Sequence, residues 1–324
     1  MHVQEWQSSV GGYRFRMQGS PNPLSTPVAD PLHGYSFPYL VEGYHEQNRR
    51  FQVYATRQNL YPYAERACRT LLHCYELAQT RLGLEHALRY EGVLRVFLKT
   101  DGKPGAEQQR NLLYLYALDE HLPPSAWLRE LTHEYGHWII PPINSFVEPE
   151  PWANGDLGER WFTRHLAEAL RTRQLEPEAV MGATLADLER YLSRAVRPLV
   201  ERMAREGLNL SRWRSRRRDG YEEYLALALY ADTVYGSERF GRAMRIAGGI
   251  EPDDFLNGLR EGLLEREQIR LSLPLPKTWL YLPGGARRWS VVQPAGIGLQ
   301  PDPKRPDWLR PTTEALQLTV RRVR

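Results

Sequence analysis

The pentapeptide His133-Glu134-Tyr135-Gly136-His137 constrains this chain more than any other feature, because it lies in a stretch whose spacing predicts a helix. Pro123, Pro124 and Ser125 supply a helix start, Trp127, Leu128, Leu131, Tyr135 and Trp138 recur at helical intervals, and Pro141 and Pro142 supply the stop. Two histidines four residues apart on a helix leave it on one face, so both imidazoles can reach a single metal ion. Zinc is the natural occupant: it takes neutral imidazole nitrogen at about 2.0–2.1 Å, and a catalytic site needs a third protein ligand and an open position for water. Glu134, between the histidines, is placed to take a proton from a bound water whose pKa the metal draws down to roughly 7. The plain alternative is a packing helix that happens to carry these residues, but with only nine histidines in the chain the pattern is rare by chance. Gly136 costs a helix interior about 1 kcal/mol against alanine, a penalty that close approach of another backbone would explain.

Around this helix the pattern predicts an α+β fold. The first forty residues, rich in Gly, Pro, Ser and Tyr, read as short strands and an extended arm, with an arm segment over 1–48. Phe51 to Thr56 alternates as a strand, Tyr63 to Leu82 has the period of an amphipathic helix ended by Gly83, and Val93–Leu98 and Asn111–Leu118 read as strands around a polar connection at Thr100 to Gly105. An α+β segment with the HEYGH helix is therefore expected over 49–140. A mainly helical segment follows over 141–272, after the proline-rich loop from Pro141 to Pro151. Short alternating runs at Trp279–Leu282, Trp289–Val292 and Leu316–Val323, spaced by prolines, predict a small β appendage over 273–324.

Composition is that of an ordinary globular chain, with 42% hydrophobic and 25% charged residues over 324 positions. A net charge of +4 is small for this length and favours solubility over a polyanionic partner, so no nucleic acid is expected. No apolar run is long enough to cross a bilayer, and the first residues lack the pattern of a secretory signal, so the expected location is cytoplasmic, or secreted if a leader has been removed. Cys68 and Cys74, six apart in a helical stretch, point to different faces and are expected as free, half-buried thiols. Nine tryptophans suggest either a large aromatic core, the commoner case, or a lined cleft.

HEYGH on its helix, with the strands before it and the helices after it, resembles the gluzincin metallopeptidases, the broad group of thermolysin-like and aminopeptidase N-like enzymes. The resemblance spans about Phe51 to Arg245. It implies a zincin-like domain with a small mixed sheet, one catalytic zinc ion on His133 and His137, Glu134 as general base, and a peptide or protein substrate. In that family the third ligand is a glutamate on the next helix, in a segment like W-x-x-E-G-x-A; the matching stretch here is Trp152-Ala153-Asn154-Gly155-Asp156-Leu157-Gly158-Glu159. A simple overlay puts Gly155 where the glutamate is expected. Glu159, one turn on with the longer side chain, is the expected third ligand, and Asp156 is the alternative. Glu148 and Glu150 in the proline-rich loop are weaker candidates. The run Tyr221-Glu222-Glu223-Tyr224, closed by Tyr235-Gly236, is similar to the family's tyrosine-bearing helix, which implies Tyr221, or Tyr224 one turn on, as donor to the oxyanion.

Two rival readings come with the departure at Gly155. One is a binding or scaffold protein with a weakened metal site, and the other is a zinc hydrolase acting on a non-peptide bond. The basic run at 211–218, which surrounds Trp213, reads as a solvated turn before the helix start at Asp219 and Gly220, with contact to an acidic group as its functional alternative. No aminopeptidase-type glycine-rich signature precedes the HEYGH helix, so exopeptidase action has no positive sign.

Overall fold

Strands rich in Val, Leu, Phe and Tyr build the largest sheet of this α+β protein, and a computed structural model describes it over residues 2–85, 92–118 and 122–323. The chain divides into two units, the first comprising Met1–Thr80, Leu84–Ile140 and Asn154–Leu192, and the second Arg81–Gly83, Pro141–Ala153 and Ser193–Arg324.

In the first unit the strands are β1 (His2–Gln7), β2 (Arg14–Gly19), β3 (Val28–Ala29), β4 (Ser36–Phe37), β5 (Tyr39–His45), β6 (Asn48–Ala55), β7 (Leu94–Leu98), β8 (Gly105–Gln109) and β9 (Leu112–Tyr116). Seven of them form one sheet among the described residues, in the order β1-β2-β5-β6-β7-β9-β8, while β3 and β4 pair as a small ribbon. The β6–β7 and β7–β9 pairs are parallel and the others antiparallel. Helix α1 (Tyr61–Leu77) makes the crossover between parallel β6 and β7, as such a pair requires. Gly83, at φ +64°, takes the left-handed conformation that suits a chain leaving a helix.

Strands β1, β2 and β5, from the first forty-eight residues, continue the sheet that β6 begins, with Trp6 paired to Phe15 and Met17 to Gly43. Just after the expected turn at Thr100 to Gly105, residues 105–109 form the edge strand β8, whose polar sequence Gly-Ala-Glu-Gln-Gln hides the alternation that marks a half-buried strand.

Helix α2 (Pro124–Ile139) carries the HEYGH segment. Pro123 precedes it in extended conformation with Pro124 at the first turn, and Ile140, extended before Pro141, ends it. One face buries Trp127, Leu128, Leu131, Tyr135 and Trp138, each no more than 2% exposed. Helix α3 (Asn154–Arg171) packs on α2, and α4 (Leu185–Ala195) follows it. The α2–α3 crossing is set by glycine. A Cβ on Gly158 would stand 2.5 Å from Gly136 Cα and 3.1 Å from Thr132 O; one on Gly136 would stand 2.6 Å from Asn154 O. The mid-helix glycine of HEYGH thus meets another backbone, as its placement in the sequence anticipates. Cys68 and Cys74 carry no disulfide and are wholly buried rather than half-buried.

In the second unit lie α5 (Arg197–Glu206), α6 (Leu210–Trp213), α7 (Arg218–Tyr235), α8 (Ser237–Ile246) and α9 (Pro252–Leu264), followed by β10 (Gln268–Ser272), β11 (Leu280–Tyr281), β12 (Trp289–Gln293), β13 (Leu299–Asp302), β14 (Arg305–Pro311) and β15 (Gln317–Arg322). The strands form two antiparallel sheets, β10-β15-β12 and β11-β14-β13. Residues 268–272, within the segment expected to be helical, are a strand. Their buried-exposed alternation, with Ile269 and Leu271 inward, has the period of two. No helix among the described residues is long and apolar enough to cross a membrane.

Because both helix backbones already touch at Gly136 and Gly158, a methyl group has no room. Gly158→Ala is expected to lower unfolding stability by about 1–3 kcal/mol, the range for overpacked interiors, as read by urea denaturation. An unchanged midpoint would refute so close a crossing.

Candidate metal centre

The α2–α3 crossing brings the side chains of the site together within the first unit. His133 and His137, both half-buried, project from α2 with their rings 4.8 Å apart and nearly perpendicular, and their Nε2 atoms lie 3.1 Å from each other. Two nitrogens bound to one tetrahedral zinc ion stand about 3.3 Å apart, so the pair already has the spacing of a shared metal. Glu134, between them in sequence, is 6% exposed.

The opposite ring nitrogens are engaged by oxygen. His137 Nδ1 lies 2.9 Å from Asn154 Oδ1. The amide's orientation is fixed, because Asn154 Nδ2 donates to the carbonyls of His137 (3.2 Å) and Ile140 (3.0 Å), which are otherwise orphaned at the end of α2. Its oxygen must therefore face the ring, and Nδ1 is the nitrogen that carries the proton. His133 Nδ1 lies 3.5 Å from Glu159 Oε2 and 3.8 Å from Asp156 Oδ1. Metal-binding histidines characteristically donate their second nitrogen to a carboxylate or carbonyl in this way, which leaves Nε2 unprotonated.

Both acidic residues of α3 also meet arginine. Arg129, one turn before His133 on α2, donates from Nε to Glu159 Oε1 at 2.6 Å, and its guanidinium lies 4.5 Å over the Tyr191 ring. Arg160 pairs with Asp156 at 2.7 Å. Glu159 is only 6% exposed, and burial alone would raise its pKa. The hydrogen bond with His133 and the charge of Arg129 outweigh that, taking it down to about 2, so the carboxylate stays ionised and acts only as an acceptor. Glu130, beside the pair, is pushed the other way by burial. His133, Asp156 and Glu159 are close enough together to hold a cation, but the arginines already neutralise both carboxylates, and these acids face Nδ1.

Gly155 decides the other side. A Cβ there would lie 2.4 Å from His137 Nε2 and 2.6 Å from His133 Nε2. Gly155 has no side chain to offer there. The donor set thus fits a divalent metal at two imidazoles, while neither α3 acid presents an oxygen to the Nε2 side.

Tyr221 and Tyr224 lie on α7 in the second unit. The Tyr221 hydroxyl donates to Glu150 at 2.6 Å, and its ring meets Phe146 edge-on at 5.2 Å. Tyr224 packs among Phe146, Trp213 and Phe255, where burial raises its hydroxyl pKa far above the ordinary value. In the basic run, Arg216 pairs with Glu251 at 2.6 Å and Trp213 Nε1 donates to Asp253 at 2.6 Å. Asn154, Arg129 and Tyr191 join the site without belonging to the HEYGH pattern. A signal existed for the first two: Asn154 directly precedes Gly155, and Arg129 is four residues before His133.

No protein-family model matches the chain, and no curated protein matches it. Among solved structures it is similar to Legionella pneumophila aminopeptidase A in complex with aspartic acid, at 12% identity and a TM-score of 0.33. The match covers 94% of this chain and 35% of that one, so the chain spans about a third of that enzyme's length. A likeness of this degree carries no argument about activity.

A methyl group at position 155 would intrude on both Nε2 atoms. Gly155→Ala is expected to bind cobalt(II) or zinc at least about tenfold more weakly than the parent while unfolding normally in chelator, as read by metal titration and thermal denaturation. Equal affinity would show that the space beside the imidazoles has no part in holding a metal.

Proposed function

We propose that the protein is a zinc-dependent peptidase that hydrolyses peptide bonds. The observation that carries this reading is the pair of Nε2 atoms 3.1 Å apart on a helix that also bears Glu134. His133 and His137 would hold the ion through Nε2, with an acidic residue as third ligand. When bound, zinc supplies Lewis-acid polarisation of a water and of the scissile carbonyl. Glu134, next to His133, accepts the water proton and passes it to the leaving amine, the work of a general base that then turns acid. Asn154 keeps the His137 ring in the tautomer that leaves Nε2 open to the metal. On sequence grounds, from the family resemblance alone, Tyr221 is the donor to the oxygen that gains charge.

A second reading has one specific support. With glycine at position 155, a carboxylate ligand is missing where the family resemblance expects one, which favours a protein that binds rather than cuts. Zinc content of the purified protein separates the two: about one ion per chain supports the enzyme, and no retained zinc supports the binding protein. A non-peptide substrate is a third course, since metal and fold do not fix the bond attacked.

Glu134→Gln removes the base and keeps the size of the side chain. It is expected to retain zinc and to lose hydrolysis of a peptide library by about 10²–10⁴-fold, the usual worth of general acid–base catalysis. Full activity in that variant would exclude Glu134 from the reaction. Tyr221→Phe is expected to bind zinc like the parent with turnover reduced by about 10²-fold, comparable to loss of one oxyanion donor.

A further inference from the structure

We propose that α3 contributes no metal ligand and that Glu159 is a positioning residue, locked in place by Arg129, which holds the proton on Nδ1 of His133. The proposal rests on the reading of His133 and His137 as a metal pair, and it assigns Glu159 a different part from the ligand that the sequence leads one to expect.

An imidazole has two nitrogens that point away from each other, and a group hydrogen-bonded to one is turned away from a metal on the other. His133 directs Nε2 at His137 and Nδ1 at Glu159 Oε2, 3.5 Å away. The remaining oxygen of Glu159 receives Arg129 Nε at 2.6 Å. The carboxylate is thereby divided, with one oxygen for the arginine and one for the histidine. Arg129 is itself held, its guanidinium lying over the Tyr191 ring. Swinging Glu159 round to the Nε2 side would leave that guanidinium without its carboxylate.

Asp156 is no freer, since Arg160 binds its carboxylate at 2.7 Å and also donates to its backbone carbonyl at 2.9 Å. Position 155, whose Cβ direction does point at the two Nε2 atoms, is glycine. What α3 does supply is a matched set of acceptors: Asn154 Oδ1 for His137 and Glu159 Oε2 for His133. Each offers an oxygen to Nδ1, so that with a metal bound both Nε2 atoms, 3.1 Å apart, can turn their lone pairs to the same ion.

The experiment separates an acceptor from a ligand. Glutamine accepts a hydrogen bond but is a poor zinc ligand, and Arg129→Met removes the guanidinium that would compete for its single amide oxygen. The double variant Arg129→Met with Glu159→Gln is expected to hold zinc within about tenfold of the parent, measured by competition with a chromophoric chelator. Glu159→Ala, with no acceptor, is expected to lose up to about 100-fold, the upper range for loss of such an outer partner. A double variant as weak as Glu159→Ala or weaker would overturn the assignment and make Glu159 a ligand. Thermal unfolding in chelator checks that both variants fold. If either does not, carboxyl ¹³C spectra of the zinc-free and zinc-loaded parent decide the matter: a Glu159 signal that zinc leaves nearly in place supports the proposal, and one displaced on loading like a coordinated carboxylate overturns it. A parent protein that binds no zinc would instead overturn the metal reading itself.

Discussion

Contact between two glycines, Gly136 on α2 and Gly158 on α3, sets the geometry on which the candidate centre depends. At any other residue type the helices would have to stand further apart. At this separation Asn154 reaches the end of α2, Gly155 lies beside both Nε2 atoms, and Glu159 comes level with the outer nitrogen of His133. A Gly in mid-helix is weakly destabilising alone, so the close crossing has to compensate through packing. Trp127, Leu131, Trp138 and Trp161, all nearly or wholly buried, supply that packing in the same unit.

Charge follows from the same crossing. Burying Glu159 in so tight a space would favour its neutral form, yet Arg129 and His133 hold it ionised. The result is a chain of partners, Tyr191 to Arg129 to Glu159 to His133, in which each group restricts the next. Such a chain holds the His133 ring in one orientation, as Asn154 holds that of His137. It also separates two roles that sequence spacing alone cannot distinguish, because a carboxylate one turn along a helix can face either nitrogen of a ring.

Much of the fold was legible in the sequence where local signals agree. The α+β class, α1, β6, β7, β9 and α2 all follow from periodicity and from Pro and Gly at their ends. Strand β8 was not legible, since Gly-Ala-Glu-Gln-Gln carries no apolar alternation and forms through its pairing with β9. Strand β10 was hidden by the helical pattern running up to it, although Ile269 and Leu271 alternate. In the site, His133, Glu134 and His137 could be singled out because one helix relates them. Asn154 and Arg129 lie at telling distances from Gly155 and His133 in the sequence, but their parts, like that of Tyr191, depend on how α2, α3 and α4 meet, which a linear pattern does not specify.

The claim at the centre of this account is that the two Nε2 atoms bind one metal ion. X-ray absorption at the zinc edge of the metal-loaded protein tests it most directly. The account predicts two imidazole nitrogens at about 2.0–2.1 Å, both lost in a His133→Ala, His137→Ala double variant. A spectrum without imidazole scattering, or one that the double variant leaves unchanged, would contradict it.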